Sequence, residues 1–441
     1  MTRLETIAPP TARFDRLDVL LPLGAFVLVA LAHGVGRALD ASGVILLLPF
    51  PPIYATWAPH LGAGSVPAVA CLGLAVWLRR TRLPWRRLLV TAWAVGLGWI
   101  FSLAAVDGDW ATKMLSPHEY LHDLGRIGDP WTFLRTFTDF IVGVPGAWTT
   151  HVSVHPPLAT LVFWLLDRIG LGGPAWAGAF CMVAGSLALP ALAVAIRDLG
   201  SPLVARRLLP VGAVFPGAVW IGVSGDAVFA GVSCVALALY VHGAVSGRWW
   251  ASALGGLGAG AMLYLSYGHV LYLLVFGVAA WLSVRRAGAS PVLRATLVSL
   301  AGVGAVVAFF TLAGFRWWAA LPKVTARYDE GIASVRPYSY FVWANLAALV
   351  VCASPLVLLV LRWAVQRLRE PAAALALAGL AVVLLADLSG LSKAETERIW
   401  LTFAATIWCA AGLAPRRWRL PVLLGAAGWA LAVNHLLLTE W

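Results

Sequence analysis

The chain reads as an all-α polytopic membrane protein, and three observations predict this class. Of its 441 residues, 61% are hydrophobic and 12% are charged, whereas a soluble domain carries about a quarter charged residues. Apolar runs of about twenty residues, the length that crosses a hydrocarbon core, recur along it. The net charge of +12 sits largely in short arginine-rich loops, the pattern of cytoplasmic loops rather than of a nucleic-acid surface.

Taken in order, the spans are expected to begin near Leu17, Ser65, Leu88, Ala175, Leu203, Ala227, Ala251, Val270, Ala295, Ser339, Pro371, Ile399 and Leu420. This gives a single integral membrane domain over residues 1–441, a helical bundle of about thirteen transmembrane helices. The polar segment Met1 to Arg16 has no small-residue cleavage site after it, so the first apolar run is expected to remain as an anchor. Arg79 to Arg87, Arg285 to Arg294, Arg362 to Arg369 and Arg416 to Arg419 are the basic loops, all assigned to the cytoplasm. The Arg197 to Arg207 loop joins them only if Pro156 to Ile169 dips into the bilayer without crossing. At about 14 residues that segment is too short for an upright span. Val44 to Trp57, rich in proline, is likewise read as not crossing. The amino terminus is then inside and the carboxyl terminus outside.

The five cysteines, Cys71, Cys181, Cys234, Cys352 and Cys409, lie singly in apolar runs and read as packing residues. Only Lys113, Lys323 and Lys393 are lysines, and this Arg, Ala and Gly bias fits a GC-rich bacterial genome.

Charge that survives near a bilayer is a functional candidate, because placing it there is unfavourable. Three clusters face the expected outer side. The first outer loop, residues 107–155, holds Asp107, Asp109, Glu119, Asp123, Asp129 and Asp139. Ser116-Pro117-His118-Glu119 has the form of a capping box, predicting a helix from Pro117 to about Ile127. Asp129-Pro130 predicts a second helix with a Trp131, Leu134, Phe137, Phe140 and Ile141 stripe, suited to lying in the interface plane. Both helices could instead pad the outer surface.

Asp107 and Asp109 stand where a span meets water. Either is placed to serve as a general base for an acceptor hydroxyl, or simply to end the helix. His151 and His155 are four apart, but Pro156-Pro157 interrupts the helix a zinc pair would need, so phosphate binding or substrate orientation is expected of them. The second outer loop, residues 315–338, brings Lys323, Arg327, Tyr328, Arg336 and Tyr338, and the third cluster brings Glu395, Glu397 and Arg398. Arginine binds phosphate through two parallel donors and keeps its charge, which suits a phosphodiester at the surface. Snorkelling to headgroups, or pairing of Arg398 with Glu395 or Glu397, would use the same residues structurally. Asp226 and Ser266-Tyr267-Gly268-His269 also reach the outer rim and could line an acceptor pocket or cap a span.

The early acids, the interfacial helices, the His155-Pro156-Pro157-Leu158 turn and the late Arg398 resemble the GT-C superfamily of integral membrane glycosyltransferases. Asp107-Gly108, Glu119-Tyr120-Leu121, Thr150-His151-Val152, Arg336-Pro337-Tyr338 and Glu397-Arg398-Ile399-Trp400 are similar to its actinobacterial members. The resemblance implies inverting transfer of a sugar from a polyprenyl-phosphate donor to an envelope glycolipid, glycan or protein acceptor, at the outer face of a bacterial plasma membrane. It makes Asp107 or Asp109 the base. Arg398, with Lys323, Arg327 or His155, would hold the donor phosphate, while His151, Glu119, Tyr120, Asp226, Tyr267, His269, Arg336, Tyr338 and Glu397 would contact substrate. Some members use a divalent metal and many do not, so no cofactor is assigned. Membrane lipids are expected as surroundings and nucleic acid is not expected as a partner. A transporter or flippase of a lipid-linked anion would also place arginines in a membrane cavity, but it calls for ionisable groups at mid-bilayer and related halves.

Overall fold

The computed structural model describes residues 15–440. It is helical almost throughout, and its one sheet is a two-stranded ribbon. The polar segment ahead of Leu17 falls mostly outside the described residues.

Seven helices among the described residues are long and apolar enough to cross a membrane: Leu17–Ala41, Trp85–Ala104, Pro174–Asp198, Gly225–Ser246, Tyr267–Ala287, Ala289–Leu312 and Pro371–Leu388. An eighth arises if Tyr338–Ala353 and Val357–Gln366, bent by 92° at their junction, count as one. The bend falls where Ser354, at φ 71°, leaves helical geometry just before Pro355. Five expected spans meet helices outside that set. Ser65–Arg80 has 16 residues and Trp249–Leu265 has 17, Pro202–Gly212 is short and contains Pro210, Leu401–Leu413 is short and apolar, and Arg419–Leu436 ends in Asn434 and His435. The Pro157–Arg168 helix has 12 residues, and Val44 to Tyr54 forms no helix.

Small residues let the central helices approach closely. A Cβ placed on Gly231 would stand 2.0 Å from the Ala184 carbonyl oxygen, and one on Gly256 would stand 2.1 Å from that of Ser299. Backbone contact of this kind replaces the apolar driving force that helices lack in lipid. The peripheral Ala289–Leu312 helix instead leaves Leu293, Leu297, Leu300, Phe309 and Leu312 exposed, an apolar face suited to acyl chains.

The two ends of the bundle differ in charge. Arg197 stacks over Trp85 at 4.9 Å, Arg206 donates to the Leu83 carbonyl at 2.7 Å, and Arg362 and Arg417 close on buried Asp18. The arginine loops therefore meet at one end. Trp85–Ala104 has 20 residues, a rise of about 30 Å, and its far end delivers Asp107. Helix Gly225–Ser246 runs between the same levels, with Asp226 in its first turn and His242 bonded to Asp198 near the arginine end. The ribbon, Ala55–Trp57 antiparallel to Leu437–Thr439 with Ala55 opposite Thr439, closes the acidic end.

The first outer loop folds differently from expectation at one place. Ser116 ends a 3₁₀ turn, Trp110–Leu115, and a second 3₁₀ segment, Tyr120–Arg126, replaces the Pro117 helix. The reason lies in Glu119, whose carboxylate points inward to His151 at 3.2 Å instead of back to close the capping box. The second helix does form: Asp129 accepts from the Thr132 amide at 2.7 Å and starts Pro130–Thr136. Its stripe divides, with Leu134, Phe137 and Ile141 buried and Trp131 half exposed against Phe309.

Candidate functional site

Two neighbouring groups of polar side chains occupy the acidic end. The first is buried and centred on Arg398. Its short helix, Thr396–Ile399, follows Ala394 and Glu395, both at positive φ, 76° and 58°. Residues with a Cβ adopt this conformation at a cost of order 1 to 2 kcal/mol each, so neighbouring bonds must hold it. The Ala394 amide donates to Asn345 Oδ1 at 3.2 Å, and Arg336 Nη1 donates to the Lys393 carbonyl at 2.9 Å. The turn aims the Arg398 guanidinium at Asp226 Oδ2, 2.7 Å, at His151 Nε2, 3.0 Å, and at Glu395 Oε2, 2.5 Å. Burial works against the Arg398 charge, but Glu395 and Asp226 more than reverse this and raise its proton affinity. In return Arg398 and Arg336 hold Glu395 below the usual carboxylate range despite its burial.

The first outer loop supplies the other wall. Asp123 accepts from the Thr149 amide at 2.7 Å and pairs with Arg126 at 2.7 Å, and Arg126 stacks over Trp148 at 4.0 Å. This fixes the start of Thr150–Val154, the helix that presents His151. His155 Nδ1 lies 2.7 Å from the Tyr120 hydroxyl and 3.0 Å from the His151 carbonyl. That carbonyl only accepts, so Nδ1 carries the ring proton. Burial lowers the His155 pKa to about 3, which keeps the ring neutral. It also raises the Tyr120 hydroxyl well above its usual value.

Several buried polar atoms around this group have no hydrogen-bond partner among the described residues: Glu119 Oε2, His269 Nδ1, the Tyr267 hydroxyl and Glu397 Oε2. The rest of His269 bonds to Thr402 at 2.9 Å. Glu397 Oε1 accepts from the Tyr54 amide at 3.1 Å, and burial pushes the Glu397 carboxyl up to about 7. Buried polar atoms are rarely left in this state, and others, such as Ser252 Oγ and Trp408 Nε1, share it elsewhere in the bundle; those beside Arg398 are open to a hydrogen-bonding ligand or water.

The second group surrounds an open cleft of about 420 Å³ lined by Tyr54, Asp107, Asp109, Lys113, Thr439 and Glu440, among others. The volume lies in the range of small-molecule sites. Asp107 is fixed from three sides: His60 Nε2 at 3.0 Å and Asn434 Nδ2 at 3.2 Å on Oδ1, and Lys113 Nζ at 2.7 Å on Oδ2. Asp109 is exposed and accepts from the Ala111 amide at 3.1 Å, capping the turn that follows. Tyr54 belongs to both groups, as a wall of the cleft and as the donor to Glu397.

The structure thus brings together Arg398, Asp226, His151, Glu119, Tyr120 and His155, with His269 and Glu397 alongside. Asp107 and Asp109 stand apart in the cleft. Arg336 serves as a tie, its Nε donating to the Leu46 carbonyl at 2.9 Å. Tyr338 is exposed and bonds to the Leu388 carbonyl at 3.4 Å, outside the buried group. Lys323 and Arg327 lie on the Trp317–Glu330 helix, which packs on Thr150–Val154. Lys323 donates to the Thr138 carbonyl at 2.8 Å and faces Asp139 at 3.7 Å, while half-buried Arg327 forms no ion pair among the described residues.

Sequence reading passed over His60, Lys113 and Asn434, and treated Glu395 only as a pairing partner. A lysine in a chain that has only three was the available signal for Lys113. His60 and Asn434 carry no comparable local signal, because the closure of the ribbon brings them to Asp107. Among the described residues no three His, Cys, Asp or Glu side chains converge as metal ligands, so no step is assigned to a divalent ion. No protein-family model matches the chain, and no curated protein matches it.

Proposed function

We propose that the chain is a GT-C-type membrane glycosyltransferase. It moves a sugar from a polyprenyl-phosphate donor to an envelope acceptor at the outer face of a bacterial plasma membrane. The observation that carries this reading is Asp107, a carboxylate held by the Lys113 ammonium and the Asn434 amide with His60 beside it, at an open polar cleft, on the end of the bundle away from the arginine loops. Because basic loops stay in the cytoplasm, that end faces outward. The expected thirteen spans, with Pro157–Arg168 as a dipping segment, belong to the same reading.

In this mechanism Asp107 Oδ2, which has one donor and so retains acceptor capacity, takes the proton of an acceptor hydroxyl as its oxygen attacks the anomeric carbon. The bond from that carbon to the lipid phosphate breaks on the opposite side, and the configuration inverts. Arg398 is already bracketed by Asp226 and Glu395. The departing phosphate is therefore assigned chiefly to Arg327 with Lys323, and Arg398 orders the pocket through His151 and Glu119. Glu119, His269, Tyr267 and Glu397 offer their open bonding positions to sugar hydroxyls.

The test is sugar transfer by purified protein in nanodiscs, supplied with a panel of polyprenyl-phosphate sugars and envelope-lipid acceptors. Product formation supports the reading. Binding of lipid-linked sugar with vesicle-to-vesicle or leaflet movement and no bond cleavage would support a flippase instead.

A further inference from the structure

The arginine end of the molecule gathers positive charge from four chain segments. Arg79 closes helix Ser65–Arg80, Arg207 lies midway along Pro202–Gly212, Arg367 follows Val357–Gln366, and Arg416 and Arg419 flank the entry to Arg419–Leu436. The turn at 409–414 draws these segments together. A Cβ on Gly412 would stand 2.7 Å from the Val204 carbonyl oxygen, Arg367 donates to the Leu413 carbonyl, and Arg419 Nε donates to the Ala414 carbonyl at 3.3 Å. Arg419 is close enough to Arg207, Arg416, Arg367 and Arg79 that all four, after burial, lower its proton affinity.

The nearby carboxylates do not balance this charge. Asp18 is taken by Arg362, Arg417 and the Trp418 indole. Glu370 accepts from the Ser201 hydroxyl at 2.6 Å and acts on Arg367, one negative charge against five positive ones. None of the five arginines forms an ion pair among the described residues, and Arg79 Nε is buried without a hydrogen-bond partner among them. Like charges gathered from four chain segments repel unless an anion joins them. Exposed Leu203, Val365 and Leu368 lie beside Arg207 and Arg367 in sequence, so apolar surface adjoins the cationic one.

We propose that Arg79, Arg207, Arg367, Arg416 and Arg419 form a site for the phosphate headgroup of an anionic membrane lipid, in the leaflet opposite the candidate active site. Guanidinium forks match phosphate oxygens in pairs, and the flanking leucines and valine accept the start of an acyl chain. A soluble phosphate would satisfy the forks but leave those side chains uncovered.

The experiment uses the full chain in detergent, with lipid retention read by native mass spectrometry and protection read by thermal unfolding. Phosphatidylglycerol, phosphatidylcholine and inorganic phosphate are the three probes. Phosphatidylglycerol is expected to bind at least tenfold more tightly than phosphatidylcholine, to weaken steeply with salt, and to resist competition by inorganic phosphate. Arg79→Gln, Arg207→Gln and Arg416→Gln combined are expected to weaken it at least tenfold. Equal binding of the two lipids, displacement by inorganic phosphate at matched concentration, or undiminished binding by the triple variant would each overturn the proposal. If the triple variant fails to fold, the wild-type comparison and exposed Arg416→Gln alone, expected to weaken binding a few-fold, still decide it.

Discussion

Arg398 and Asp226, 172 residues apart in the chain, meet at 2.7 Å with both side chains almost wholly buried. Removing one member of such a pair strands the other charge, at a cost of about 3 to 5 kcal/mol. Asp226→Ala should lower the unfolding free energy in detergent by that amount, and Asp226→Asn, which keeps an acceptor oxygen, by less. An Asp226→Ala protein as stable as wild type would show that Glu395 and His151 alone satisfy Arg398.

Glu397 makes stability depend on pH. Its folded pKa of about 7 stands above the 4.5 of an unperturbed glutamate because burial disfavours the carboxylate. Between those values the folded state binds the extra proton, so stability is greatest below about 4.5, falls as pH rises through the window, and levels off above about 7. For this group the loss is on the order of 3 kcal/mol. Glu397→Gln should remove this component and be the more stable protein at pH 8. Parallel pH–stability curves for the two proteins would contradict the assignment.

Arg336 ties three chain segments: its own helix entry, the Leu46 carbonyl at 2.9 Å and the Lys393 carbonyl at 2.9 Å. Lysine has one donor centre and cannot reach both carbonyls. Arg336→Lys is expected to cost about 1 to 3 kcal/mol and to open residues 42–54 and 389–395 to hydrogen exchange. Unchanged protection in both segments would show that the tie is dispensable.

Asp109 and Asp107 should separate cleanly. Asparagine caps a helical turn as well as aspartate does, so Asp109→Asn is expected to leave both stability and sugar transfer within about twofold, whereas Asp109→Ala should cost about 1 kcal/mol. A large loss of transfer in Asp109→Asn would move the base to that residue.

The sequence made some of these features legible and hid others for physical reasons. Apolar length marked the seven long helices, and arginine runs marked the end where Arg197, Arg206, Arg362 and Arg417 gather. Asp129-Pro130 announced its cap because capping is local. Ser116 to Glu119 carried the same local signal and yielded to a distant one, since Glu119 is drawn to His151. The Asp107 surroundings could not be read along the chain. Lys113 is near in sequence, but His60 and Asn434 arrive only when Ala55–Trp57 pairs with Leu437–Thr439. The positive φ at Ala394 and Glu395, which aims Arg398, has no glycine to announce it.

The proposed role of Asp107, taking the acceptor proton, is tested by comparing single-turnover sugar transfer by wild type and Asp107→Asn in nanodiscs. A competent polyprenyl-phosphate donor is used, and donor binding is measured in parallel. A fall in rate of 10² to 10⁴-fold is expected, the usual contribution of a general base, with donor affinity held within a few-fold. Transfer by Asp107→Asn at the wild-type rate would contradict it.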